Sequence, residues 1–148
     1  MLTLEQFHSG LANGSLARAH HIRLSDGLTE FPAALYQLAE TLEILDLSGN
    51  QLTTLPDDLT RFARLRILFA SNNPFSELPR VLGRMPQLEM VGFKACRIEH
   101  VPEDSLPPRL RWLTNFASPS ACCQRFLAAL KPWLTTLIEP SGLAVYSA

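Results

Sequence analysis

The side chains best suited to chemistry are few. They are His8, His20, His21 and His100, with Cys96, Cys122 and Cys123. Imidazole and thiolate are the common ligands of transition metals, and a thiolate is also a nucleophile. Neither use is assembled by their spacing. Only His20 and His21 are adjacent, and neighbouring side chains on a strand face opposite ways, so the two cannot readily share a metal. No base or orienting group accompanies Cys122 or Cys123, and no arrangement of nucleophile, base and orienter is found. No catalytic residue, metal ligand or cofactor site is therefore assigned, and the chain is read as a non-enzyme.

Charge and hydropathy narrow the partners further. The chain has 148 residues and a formal net charge of -1, with no basic cluster and no acidic tail, which argues against nucleic acid. No run of ~18 apolar residues suggests a membrane span, and the N-terminus lacks the basic and apolar regions of a secretory signal. Three cysteines, two of them adjacent, are not a disulfide framework. A cytoplasmic location is expected.

What organises the chain is repetition. Leu42, Leu65 and Leu88 lie 23 residues apart, as do Leu45, Leu68 and Val91, and Leu47, Ala70 and Phe93. Asn50, Asn73 and Cys96 keep the same register, followed by Leu52, Phe75 and Ile98, then by Leu55-Pro56, Leu78-Pro79 and Val101-Pro102. The units LEILDLSGNQLTTLPDDLTRFAR, LRILFASNNPFSELPRVLGRMPQ and LEMVGFKACRIEHVPEDSLPPR share the pattern LxxLxLxxNxLxxLPxxLxxLxx, the third being one residue shorter. A degenerate unit precedes them through Ala19, Ile22, Leu24, Asp26, Leu28, Phe31-Pro32, Leu35 and Leu38, and a further one opens at Leu110 and Leu113.

Each unit predicts one short strand, with Leu45 and Leu47 inward and Ile44 and Asp46 outward. Stacked units give a solenoid whose strands run parallel. Asn50, Asn73 and Cys96 form a structural ladder in the turn after the strand, where an amide can satisfy otherwise unpaired backbone groups. Cys96 is expected to be buried and inert. The Leu-Pro pair starts the return, and the stretches from Asp57 to Phe62 and from Arg80 to Met85 predict short helical turns.

This pattern resembles the leucine-rich repeat of the 23-residue LPxxL type. The stretch ILFASNNPFSELPRVLGRMPQLEMVGFKA is also similar to the N-terminal repeat region of bacterial leucine-rich-repeat proteins that carry a protein-kinase-like domain. The resemblance covers about residues 1–113. It implies an α/β solenoid, a right-handed superhelix with short parallel strands on its concave face and short helices or turns on its convex face. It implies a protein-binding module of intracellular signalling, or alternatively the truncated sensing arm of such a kinase. The chain carries no glycine-rich phosphate loop, HRD-like loop or DFG, so no kinase residue is carried over.

The domain reading is a helical N-terminal cap over 1–18, repeats over 19–113, and a divergent segment over 114–148. Leu4, Phe7 and Leu11 share a helical face, and Thr3 with Gln6 matches a capping box. After Leu113 the pattern fails: Asn115 stands at an inward position, and Ser118 and Ser120 where Asn and Leu are expected. Phe126, Leu130, Trp133 and Leu137 share a helical face that Pro132 interrupts. The segment is either a divergent cap or a frameshifted tail.

A protein partner is expected on the concave face, whose outward residues the template assigns. Glu43, Arg66, Glu89 and Arg111, led by His20, form a row of alternating charge able to neutralise itself. Ile44, Ile67, Met90 and Trp112 form the next row, and Asp46, Phe69, Gly92 and Thr114 the one after. Ser48, Ser71 and Lys94 make a polar rim. Phe69 and Trp112 are large aromatics expected to face solvent, as in a binding patch. The candidate partner-binding set is Ile44, Asp46, Ser48, Ile67, Phe69, Ser71, Met90, Lys94 and Trp112.

Overall fold

The computed structural model describes residues 1–98, 102–115 and 144–147. Among these residues one α-helix, α1 (Leu4–Ala12), is followed by strands β1 (His21–Arg23), β2 (Ile44–Asp46), β3 (Ile67–Phe69), β4 (Met90–Gly92), β5 (Trp112–Asn115) and β6 (Ala144–Ser147). All six strands form one parallel sheet in sequence order. The register follows the repeat: His21, Ile44, Ile67, Met90 and Trp112 stand side by side, as do Arg23, Asp46, Phe69, Gly92 and Thr114.

From β1 to β5 each turn of the solenoid closes through a 3₁₀ helix, at Ala33–Leu38, Asp57–Arg61, Arg80–Arg84 and Glu103–Ser105. The preceding prolines, Pro32, Pro56, Pro79 and Pro102, start them. A proline's locked φ suits the extended approach, and its missing N–H leaves nothing unpaired. Its carbonyl then accepts the N–H three residues on, from Leu35, Leu59, Leu82 and Ser105 in turn.

The core is what the template points inward. Leu24, Leu42, Leu45, Leu47, Leu65, Leu68, Leu88 and Val91 are fully shielded from solvent. Truncating one such leucine to alanine costs about 2–5 kcal/mol in a packed interior. Phe75 and Phe93 meet edge to face at 5.3 Å between ring centres. On the returning side Phe31, Tyr36 and Phe62 pack together, and the Arg61 guanidinium lies 4.7 Å over the Tyr36 ring.

The N-terminal end of this core is covered by α1. The Thr3 hydroxyl accepts the Gln6 N–H, the Gln6 side chain accepts the Thr3 N–H, and Phe7 is fully buried. Two further ties were not foreseen. Leu2 bridges Leu24 in parallel, so the chain edges the sheet before the helix begins. Asp26 does not enter the ladder; it is exposed, and its carboxylate accepts the Leu4 N–H at the start of α1, where negative charge is favoured.

At the other end β6 adds a strand beside β5. The loss of the template after Leu113 gave no sign of it: Ala144 pairs with Trp112 across 32 residues, where the repeats use 22 or 23. Cys122, Cys123 and the face carrying Phe126, Leu130, Trp133 and Leu137 lie outside the described residues, as do His100 and Val101.

Candidate functional site

The turn that follows each strand fixes the shape of the concave face. Asn50 is buried; its Oδ1 accepts the N–H groups of Asp26 and Leu28, and its Nδ2 donates to the Leu24 and Leu47 carbonyls. Asn73 repeats this one unit on. Its Oδ1 accepts the Leu52 N–H at 3.0 Å, and its Nδ2 donates to Leu47 and Ala70. The ladder expected from the sequence is present at both residues.

Cys96 departs from it. It is half-buried rather than buried, and its thiol donates to the Ala70 carbonyl at 3.3 Å. A thiol offers no amide oxygen, and the Phe75 N–H turns to the Asn73 carbonyl instead. Burial is the main cause that raises the thiol's pKa, which disfavours the thiolate.

The rim serines are structural as well as polar. The Ser48 hydroxyl accepts the Ser71 N–H, and the Ser71 hydroxyl accepts the Lys94 N–H. They link successive turns where the strands end. Asp46 is equally committed: one oxygen accepts the Ser48 N–H and the other pairs with Arg23 at 3.2 Å. The alternating row closes in two places, His20 with Glu43 at 3.4 Å and Arg66 with Glu89 at 2.8 Å. Arg66 donates two hydrogen bonds to one Glu89 oxygen, and that bonding holds the carboxyl below its ordinary range.

The apolar rows lie between these polar borders. Ile44, Ile67, Phe69 and Met90 are each half-buried, so Phe69 faces solvent less fully than expected. Gly92, beside Phe69 in the sheet, carries no side chain. Trp112 continues the row after Met90 by register; its side chain lies outside the described residues. Lys94 is exposed. Among the described residues no three His, Cys, Asp or Glu side chains converge as metal ligands would, and no helix there is long and apolar enough to cross a membrane.

One strand per turn, a buried asparagine ladder and a proline-led return define a parallel-sheet solenoid built to present a face. Known proteins of this class resemble the chain. A model described as Leucine Rich Repeat matches residues 41–62. The human PH domain leucine-rich repeat-containing protein phosphatase 1 is 30% identical over 93 residues, 62% of this chain and 5% of the relative. The mouse leucine-rich repeat serine/threonine-protein kinase 1 is 35% identical over 78 residues, 52% of this chain and 4% of the relative. A solved leucine-rich-repeat protein of Leptospira interrogans superimposes with a TM-score of 0.62 at 26% identity, over 80% of this chain and 31% of that one. The chain is similar to these leucine-rich-repeat proteins in sequence and shares their solenoid fold. It spans only about a twentieth of the two curated relatives.

Proposed function

We propose that this chain is a non-catalytic protein-binding module of intracellular, cytoplasmic signalling, and that its partner docks on the concave sheet. The observation carrying this reading is the half-buried apolar group Ile44, Ile67, Phe69 and Met90 on the outer face of the strands. Their inward neighbours Leu45, Leu68 and Val91 already fill the core, so the outward residues are not needed to close it. Apolar side chains held on a rigid sheet and bordered by charge are suited to anchoring a partner. Asp46, Ser48 and Ser71 act by holding the face in shape. Lys94 and Trp112 extend it.

The test is affinity capture with the full chain and with a Phe69→Ala/Trp112→Ala double variant, both checked for native circular dichroism. A partner retained by the first and lost by the second supports the reading. Identical capture profiles from two folded proteins contradict it.

The alternative reading, a sensing arm of a larger kinase-like protein, draws on the repeat-bearing kinase among the relatives, of which this chain matches a small share. It predicts repeat and kinase-like coding sequence downstream in another reading frame. Translating all three frames across codons 105–148 tests it, and uninterrupted absence of the pattern in every frame contradicts it.

A further inference from the structure

The borders of the concave face differ between its two halves. In the first half Arg23 pairs with Asp46, and the Glu43 carboxylate has the His20 ring 3.4 Å away, a charge partner only when that ring is protonated. Around β3 to β5 the charges are not all matched. Arg64 and Arg66 straddle buried Leu65 just before β3, and Arg109 and Arg111 straddle buried Leu110 just before β5. All four arginines are exposed; Arg64 and Arg109 lie in the turns that lead into the strands, and Arg66 and Arg111 stand at the strand starts. Between the pairs stands Glu89, before β4. Backbone bonds from Glu89 N–H to Arg66 and from Arg111 N–H to Glu89 fix the three side by side.

Three guanidinium groups, those of Arg66, Arg109 and Arg111, thus act on the one carboxylate of Glu89. Glu89 is already hydrogen-bonded by Arg66, and Arg109 and Arg111 act on it only through space. Among the described residues Arg64, Arg109 and Arg111 have no ion-pair partner, and neither does Lys94 at the opposite ends of the same strands. The apolar residues Ile67, Phe69 and Met90 lie between these two cationic borders.

Resting on the concave-face reading above, we infer that this half of the sheet takes an acidic protein segment, with an apolar anchor seated against Ile67, Phe69 and Met90 and carboxylates on both sides meeting the Arg109/Arg111 border and Lys94. The apolar centre favours a protein segment over a nucleic acid, whose backbone would use the cations and leave the anchor surface uncovered. Charge complementarity of this kind sets specificity and association rate, and it weakens as salt rises.

The experiment is selection of displayed random peptides on the immobilised full chain, with the enriched peptides then measured by fluorescence anisotropy. The expected consensus places Asp or Glu on both sides of an apolar residue. Arg109→Ser/Arg111→Ser then weakens the best peptide by about 3- to 30-fold, on the scale of two exposed charge pairs. Arg109→Lys/Arg111→Lys recovers most of the loss, and Arg18→Ser, an exposed arginine on the N-terminal cap, has no effect. Enriched peptides without acidic residues that still depend on Phe69 would overturn this inference and leave the concave-face reading standing. Peptides indifferent to Phe69→Ala and to both arginine variants would overturn both. Equal, arginine-dependent binding of a single-stranded oligonucleotide would overturn the choice of a protein segment.

Discussion

Asn73→Ala removes the buried amide at the centre of the ladder, and the hydrogen bonds around it set the size of the loss. The Nδ2 group donates to the Leu47, Ala70 and Ser71 carbonyls. None of these is orphaned by its removal. Leu47 keeps the Asn50 amide, Ala70 keeps the Cys96 thiol and Ser71 keeps the Gly49 N–H. The Leu52 N–H is different, since Asn73 Oδ1 is its recorded acceptor. An unsatisfied buried donor costs about 1–3 kcal/mol, and each lost but replaceable bond about 0.5–1.5 kcal/mol. The amide has two hydrogens and so makes two full bonds at a time, and the expected destabilisation is therefore about 2–6 kcal/mol, read as a lower urea midpoint at unchanged slope. Cys96→Ala provides the control within the same ladder. The thiol is a weak donor and Ala70 retains Asn73, so the expected cost is under about 1 kcal/mol. A loss for Asn73→Ala equal to or smaller than that for Cys96→Ala would refute this reasoning.

Three further outcomes follow from particular contacts. Gly83→Ala places a methyl group against the Asp104 carbonyl, where the shortened repeat brings two 3₁₀ turns together. Thermal unfolding should shift down by an amount corresponding to at least about 1–3 kcal/mol, the usual scale of overpacking. Ala95 sits at φ 55°, a left-handed conformation costing an alanine about 1–2 kcal/mol, so Ala95→Gly should raise the urea midpoint. Glu89 has its pKa lowered in the folded state by Arg66. Its contribution is therefore complete above the ordinary value of 4.5 and is lost as pH falls through the lowered one. Acid unfolding curves should show this component in the natural chain and lack it in Glu89→Gln.

The strands and their pairing were legible in the sequence because the 23-residue spacing is itself the register. Once Leu45, Leu68 and Val91 are aligned inward, the outward neighbours Ile44, Ile67 and Met90 must stand in a row. The prolines likewise marked the start of the four returns between β1 and β5. What spacing could not carry were the bonds that backbone groups make to other parts of the chain. The Leu2 bridge to Leu24, the use of Asp26 by α1 and the capture of the Ser48 and Ser71 hydroxyls depend on chain geometry that no periodicity records. Strand β6 escaped notice for a related reason. A strand of four residues needs only an exposed sheet edge to pair with, and Ala144–Ser147 does not fall at the repeat interval. The half-burial of Phe69 was also not legible, because a template assigns the direction of a side chain and says nothing of what shields it.

The arginine-leucine-arginine pairs were visible as residues but not as a border. Arg66 and Arg111 had been placed in a self-neutralising row, and that description holds for Arg66. Arg111 forms no ion pair among the described residues: Glu89 bonds to Arg66, and Arg111 acts on it only through space.

The most direct measurement is site-specific photo-crosslinking from the sheet itself. A benzophenone amino acid is placed at Phe69 on the outer face of β3 and, in a second protein, at exposed Thr60 on the returning 3₁₀ turn. Both are expressed in cells and irradiated, and the adducts are identified by mass spectrometry. A concave binding face predicts a defined protein adduct from position 69 that is missing from position 60. Adducts formed from position 60 alone would place the partner on the returning side and contradict the assignment.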